Sequence, residues 1–422
     1  MHDPAFPAAP LLLAEAGRQV VATALAEEGG ELLELRSDFV LYTPGIGITL
    51  TYVARVEWRD QSLTDEVLVV YARNNRNPPA GVVTVEVGGT AAGIWRFPED
   101  PYLPGLRRAA IPDFAGRLLR ELGFPRGKVT LQLRAYRPGL RAVIQATLAS
   151  PGLLYRRDTG RMESAIHQRD FYFKIVRPGD AGPLAARHDE LAGLIPAPRC
   201  LHHDDDLGIL VLEAMDGHSL WSSLAAEHPD PPTPLALLEP LDRLATVKSE
   251  GPTVGNIYHA VISHVQLLHA LAPAESDRIE RIGAELQPRG QGRLITVHGD
   301  FYDSQVLVRD RRVLGLIDLD DLGPGERVDD LATMAGRVWT IAQVQPDPGK
   351  REEITAYALA MLADFSSVVD ADELDRRVGG ILLGRATGPF RAQQDDWPDE
   401  CVRRIRAAEA WLARPRIPGP FS

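Results

Sequence analysis

Three oxygen-bearing side chains, Asp300, Gln305 and Asp318, are spaced along the stretch Leu294 to Ala332 in a way that suits phosphoryl transfer. Asp300 closes the tripeptide His298-Gly299-Asp300, and Gln305 follows five positions on. A short hairpin (Val306 to Val308, turn at Arg309 to Arg312, Val313 to Ile317) then delivers Asp318. Two strands joined by a tight turn bring their outer ends together, so all three groups converge at one end. A loop carboxylate can accept the proton of an attacking hydroxyl, while an amide and a second carboxylate can hold the metal of a metal-nucleotide. Phosphoryl transfer asks mainly for positioning and charge neutralisation.

A cation for the phosphates is legible upstream. Of 46 lysines and arginines only Lys128, Lys174, Lys248 and Lys350 are lysine, so a lysine in a demanding place carries information. Lys174 lies inside Phe171-Tyr172-Phe173-Lys174-Ile175-Val176, an apolar strand in which a bare ammonium is costly to bury. A helix from Gly182 to Leu194 follows, and its Glu190 is the expected partner of that lysine. Between Lys174 and His298 lies an apolar strand, Leu207 to Glu213, running into Met215-Asp216-Gly217. The backbone from Leu212 to Met215, with Glu213 and Met215 in it, is the expected adenine-binding segment. Arg137 and Arg141, near a turn, could approach phosphate as a glycine-rich loop would, but without a Gly-x-Gly-x-x-Gly pattern they read first as solvated turn residues. Asp303, Asp320 and Asp321 read equally as acceptor contacts or as a solvated acidic rim.

These motifs resemble the aminoglycoside-phosphotransferase and choline-kinase superfamily, the small-molecule branch of the protein-kinase-like fold. His298-Gly299-Asp300, Ile317-Asp318 and Asp330-Leu331-Ala332 match its H-G-D, I-D and D-L-A motifs. The one departure is Gln305 where the family usually has Asn; maltokinase-like members carry this Gln. The resemblance implies Asp300 as catalytic base, Gln305 and Asp318 as Mg²⁺ ligands, and Lys174 and Glu190 near the phosphates of ATP. It implies a bracing role for His298 and Asp330, and a sugar or amino sugar as the small-molecule acceptor. An aminoglycoside- or choline-type kinase is the rival enzyme, and a nucleotide-binding pseudokinase that scaffolds a partner is the rival class. A protein kinase is disfavoured, because no D-F-G or A-P-E appears and Gly299 stands where protein kinases have Arg.

The remaining chain must hold these groups in place. Its 422 residues, 45% hydrophobic and 25% charged, suit a globular protein with ample core. The net charge of -12 argues against nucleic acid or an anionic membrane as partner. Cys200 and Cys401 form no disulfide framework, which suits a reducing cytoplasm. The first residues lack the basic region of a signal peptide, and no apolar run reaches membrane-spanning length.

The expected fold is α+β: a β-rich N-lobe and a helical C-lobe, with an additional N-terminal β-rich cap. The expected division is a cap over residues 1–124, the N-lobe with its hinge over 125–216, and the C-lobe over 217–422. A helix from Leu11 to Ala26 and strands from Glu31 to Arg73 open the cap. Tyr42-Thr43-Pro44-Gly45 recurs 94 residues later as Tyr136-Arg137-Pro138-Gly139, with strand, turn, strand, polar tip and strand on both occasions. Two copies of one hairpin unit is the reading preferred over two coincidental turns. Further helices are expected over His218 to Glu227, Leu235 to Ser249, Tyr258 to Leu271 and Asp277 to Leu286, with a Gly290-Gln291-Gly292 loop after them. Others are expected over Arg351 to Phe365, Asp372 to Leu383 and Pro398 to Leu412.

Overall fold

The computed structural model describes residues 3–156, 161–225, 230–249, 251–290 and 292–414. Two helices, α1 (Ala8–Leu12) and α2 (Glu15–Glu28), precede β1 (Gly30–Thr43), β2 (Gly47–Trp58), β3 (Leu63–Arg73), β4 (Val83–Val87) and β5 (Thr90–Arg96). The sequence predicts one helix here. The structure breaks it after Leu12, where the Tyr52 hydroxyl donates to the Leu12 carbonyl that a continuous helix would use. The five strands form an antiparallel sheet in the order β1-β2-β3-β5-β4. Strand alternation sends Ile48, Leu50, Tyr52, Ala54 and Val56 into one core with Val20, Val21 and Leu25 of α2.

The same plan follows again. It runs through α3 (Pro104–Ala109), α4 (Pro112–Glu121), β6 (Lys128–Arg137), β7 (Arg141–Arg156), β8 (Arg161–Ile175), α5 (Ala181–Leu191), β9 (Cys200–Asp204) and β10 (Ile209–Glu213). The sheet order is β6-β7-β8-β10-β9, the first order repeated. Ile144, Phe171 and Phe173 pack into a core with Leu118 and Leu119 of α4.

The repeated turns are held alike. Asp3 Oδ2 accepts from the Tyr42 hydroxyl at 2.5 Å and from the Gly45 N–H at 2.8 Å. Asp100 Oδ2 accepts from Tyr136 and from Gly139, both at 2.8 Å. The expected duplication is therefore larger than a hairpin: it takes in the whole sheet, the paired helices and the clamping aspartate. The copies differ where α5 stands, since a loop over residues 74–82 takes its place in the first. The polar tip between β7 and β8 is mostly strand, with residues 157–160 outside the described region.

The second half is mainly helical. It comprises β11 (His218–Ser219), α6 (Leu220–Leu224), α7 (Leu238–Leu244), α8 (Ile257–Leu271), α9 (Ser276–Glu285), β12 (Leu294–Val297), β13 (Val306–Arg309), β14 (Arg312–Leu316) and β15 (Gly323–Glu326). After these come α10 (Arg327–Val344), α11 (Pro348–Phe365), α12 (Ala371–Arg385), α13 (Gly388–Arg391) and α14 (Trp397–Ala413). Ser219 caps α6 by accepting from Ser222 N–H, but the helix is shorter than expected, and Ala226 and Glu227 lie outside the described residues. The helix expected over Leu235 to Ser249 is confined to α7 after a 3₁₀ turn, and Gln291 of the expected glycine loop is also outside. The β-rich first part and helical second part make up the expected two-lobed, protein-kinase-like α+β fold. The first sheet also touches the helical part: Tyr42 meets Phe390 of α13 edge-on, with ring centroids 6.4 Å apart. Among the described residues no helix is long and apolar enough to cross a membrane.

Candidate active site

The loop that carries Asp300 hangs between two short pairings, β12 with β15 and β13 with β14. Asp330, in the first turn of α10, accepts the N–H groups of His298 at 2.7 Å and Gly299 at 2.9 Å. His298 Nε2 lies 3.0 Å from the Ile317 carbonyl, so this nitrogen carries the proton and Nδ1 accepts from Asp300 N–H at 3.4 Å. Gly299 has a φ of 83°, and a Cβ there would stand 2.2 Å from the Asp321 carbonyl oxygen, so the loop takes only glycine at this point. These contacts fix the loop from both sides and turn Asp300 toward the cleft between the two halves.

There the stretch Leu294 to Ala332 meets β8 and the turn before β7, both more than 140 positions away from Asp318. Lys174 of β8, only 5% exposed, donates to Asp318 Oδ1 at 2.6 Å and also to Asp320. Gln305 Nε2 donates to Asp318 Oδ2 at 3.1 Å and to the Tyr302 hydroxyl at 2.9 Å. Asp318 itself is left-handed, with a φ of 58°, a strained conformation for a side chain other than glycine and a common one at functional sites. Asp300 joins through its field: burial and the carboxylates of Asp318 and Asp321 push its carboxyl up to about 6. Burial alone would raise Asp318 too, but the Lys174 ammonium and the Arg141 guanidinium outweigh it and hold its pKa below the usual carboxylate range.

Two sequence expectations need correction. Glu190 is exposed on α5 and does not meet Lys174, whose partners are Asp318 and Asp320 instead. The reason is helical phase. The inward face of α5 is set by Ala181, Ala185 and His188, and Glu190 stands two positions past that face, about 200° around from His188. From this helix His188 Nδ1 lies 2.7 Å from the Pro198 carbonyl, and Arg187 donates to the Leu319 carbonyl at 2.9 Å and to that of Asp320.

Arg141 is likewise no solvated turn residue. It lies 3.1 Å from Asp318 Oδ2 and 3.0 Å from Asp320 Oδ2, reaching down from the turn that covers the cleft. The sequence signal was present in its place beside that turn, but the pairing spans 177 positions and no local pattern announces it. The neighbouring aspartates divide. Asp320 serves Lys174 and Arg141, whereas Asp303 is fully buried and paired with Arg337 at 3.1 Å.

Glu213 and Met215 lie between the halves of the chain. Glu213 pairs with Arg169 and with Arg199, and the N–H groups of Glu213 and Ala214 are taken by the Arg199 and Asp170 carbonyls. Met215 is half-buried, and its Cε packs so close over Gly315 that a Cβ there would be 2.3 Å away. Gly315 thus leaves room for the Met215 side chain beside the segment expected to meet adenine.

Among the described residues no three His, Cys, Asp or Glu side chains form a ready metal cage. The donors present, Asp318 and Gln305, are hard oxygens, and the ammonium and guanidinium on Asp318 mark a point that attracts cations. Such a site suits Mg²⁺, which uses one or two carboxylates and completes its shell with phosphate and water.

Three further arginines stand near this cleft without a carboxylate partner among the described residues. The charge of Arg137 acts on Asp300 and on Arg391. Burial and the charges of Arg337 and Arg404 push Arg385 down to about 10. The Nε atoms of Arg385 and Arg391 are buried without a hydrogen bond.

Residues 155–368 match the model of the APH family, described as a phosphotransferase enzyme family. Among solved structures, the chain is similar to a thermostable mutant of aminoglycoside phosphotransferase APH(4)-Ia in ternary complex with ADP and hygromycin B. That likeness has 12% identity, covers 72% of this chain and 100% of that one, and has a TM-score of 0.45. A choline/ethanolamine kinase family protein from Mesorhizobium loti has 15% identity over 74% of this chain and 94% of its own, with a TM-score of 0.40. Macrolide 2'-phosphotransferase MphH from Brachybacterium faecium has 17% identity over 73% and 99%, with a TM-score of 0.39. No curated protein matches the chain.

Proposed function

Because the chain belongs to the phosphotransferase enzyme family, whose model covers just over half of it, we propose that it transfers the γ-phosphate of ATP to a hydroxyl of a sugar or amino sugar. The reading rests on one observation: Lys174 is hydrogen-bonded to Asp318, and Asp318 to Gln305, within the field of Asp300, although Lys174 lies 144 positions from Asp318.

Asp300 is ionised at neutral pH and is the base for the acceptor hydroxyl. Asp318 and Gln305 hold Mg²⁺, which when bound neutralises phosphate charge and orients the transferring group. With nucleotide bound, Lys174 and Arg141, now on Asp318 and Asp320, would be the cations available to phosphate oxygens. The backbone near Glu213 and Met215 receives the adenine edge. Glu190 has no part in this arrangement. The proposed division of labour follows residues 1–124 as cap, 125–216 as the lobe over the nucleotide, and 217–422 as the lobe carrying base and metal ligands.

The test is Asp300→Asn. It should lower kcat by roughly 10²- to 10⁴-fold while leaving Mg-ATP binding in place. Equal turnover by mutant and wild type would remove Asp300 from its role. The acceptor is found by an ATP-consumption screen over sugars, amino sugars, aminoglycosides and amino alcohols.

A second reading of the acceptor is favoured by Arg137, Arg385 and Arg391. None of the three has an ion-pair partner among the described residues, although Asp303 acts on Arg385 and Arg137 acts on Asp300, and such guanidinium groups favour a hydroxyl compound that carries its own acid group. Sugar acids and sugar phosphates belong in the same screen, and turnover confined to neutral or cationic sugars would dismiss this second reading.

A further inference from the structure

The duplicated unit has a cleft of its own. The register shows where its residues fall relative to the nucleotide cleft. Val143 pairs with Lys174 across β7 and β8, and Thr49, 94 residues before Val143, pairs with Tyr71 across β2 and β3. Tyr71 therefore occupies the position that Lys174 holds in the second unit. By the same comparison Tyr172 pairs with Leu212 and Val69 with Trp95, so Trp95 occupies the place of Leu212, the start of the expected adenine-binding segment. The first unit exchanges the chemistry of this face: an aromatic ring stands where the second unit has the Lys174 ammonium, and no carboxylate among the described residues lines it.

This face is hollow. A cavity of about 300 Å³ lies between it and the second unit, within the size range of small-molecule sites. Its aromatic part is Tyr71, Trp95 and Tyr102, whose ring centroids are 6.2 to 6.4 Å apart in edge-on or tilted contact. Arg73, Arg76 and Arg177 also line it, and the lining contains no carboxylate, in a chain whose net charge is -12. None of the three arginines has a carboxylate partner among the described residues; Arg177 donates only to the Gly139 carbonyl, at 2.8 Å, and stands 5.5 Å from the Tyr102 ring. Aromatic faces accept a flat ring, and guanidinium forks accept phosphate or carboxylate oxygens.

We propose that this cavity is a second, metal-independent binding site for a planar anion of mononucleotide size, with its ring against Tyr71, Trp95 and Tyr102 and its acid group on Arg73, Arg76 and Arg177. The site is separate from the catalytic cleft but adjoins it. Pro138, Gly139 and Leu140 form part of its wall, and the next residue, Arg141, pairs with Asp318.

The probe is AMP in the presence of a chelator, titrated into the full chain and followed by calorimetry and by Trp95 fluorescence. AMP should bind saturably, Asp318→Ala should leave that binding unchanged, and the double variant Arg73→Ala/Arg76→Ala should weaken it about tenfold or more. Both arginines are exposed, so the double variant should keep the wild-type Tm and circular dichroism. Inorganic phosphate should bind more weakly than AMP, because it offers nothing to the rings. Absence of saturable AMP binding would overturn the proposal. So would AMP binding that is indifferent to the arginine pair, since the nucleotide would then occupy only the catalytic cleft. Phosphate binding as tightly as AMP would overturn recognition of the ring. None of these outcomes depends on whether the chain phosphorylates an alcohol.

Discussion

Burial and two neighbouring carboxylates set the working range of Asp300. With the carboxyl pushed up to about 6, kcat/KM should rise with pH through that value and level off above it, because a base works only when ionised. Asp318→Asn removes one of the negative charges behind the shift, so the rise in its residual activity should move to lower pH. A profile flat from about pH 5 to about pH 8 would contradict the assignment. The same shift has an opposite sign for stability. A carboxyl whose native pKa lies above its unfolded value favours the native state at low pH, and that contribution is lost as pH rises through about 6. The catalytic carboxylate is thus held ionised at some expense to the fold.

The loop that carries it depends on one side chain of α10. Asp330→Ala would leave the N–H groups of His298 and Gly299 buried without an acceptor, a loss of about 2–4 kcal/mol. Calorimetry should record a clear fall in Tm together with loss of turnover; an unchanged Tm would mean that water or another group replaces the carboxylate. This level of structure was partly legible in the sequence. The hairpin that returns Asp318 follows from local alternation and a tight turn, and Lys174 stood out because a strand of Phe, Tyr and Ile has no other use for a charge. Glu190 was misplaced because the phase of α5 is fixed by which residues its neighbours bury, and a helix of eleven residues with charges on more than one side leaves that phase open. Arg141, Arg187 and the pairing of β10 with β8 were out of reach because each depends on contacts between residues more than thirty positions apart.

Across the molecule, the two five-stranded units share a plan and differ in what they support. Asp3→Ala and Asp100→Ala each remove an acceptor from a tyrosine hydroxyl and a glycine N–H, and each should cost about 1.5–3 kcal/mol. Only Asp100→Ala should also lower kcat/KM, because its turn leads directly into Arg141, whereas the Asp3 turn leads into the cap. Equal kinetic effects of the two would refute that separation. The repetition has a consequence for how the chain assembles. Strands with identical order offer each other wrong partners: β1 can in principle meet β7 instead of β2. Pairing it with β2 closes a loop of three residues, Pro44 to Ile46. Pairing it with β7 would close a loop of about 100, at an additional entropic cost of roughly 3 kcal/mol. Hairpins of this kind close in microseconds, well before distant segments meet. The twin sheets are therefore sorted by nearness along the chain, and any insertion that lengthens the first turn weakens the cue that keeps each strand with its own copy.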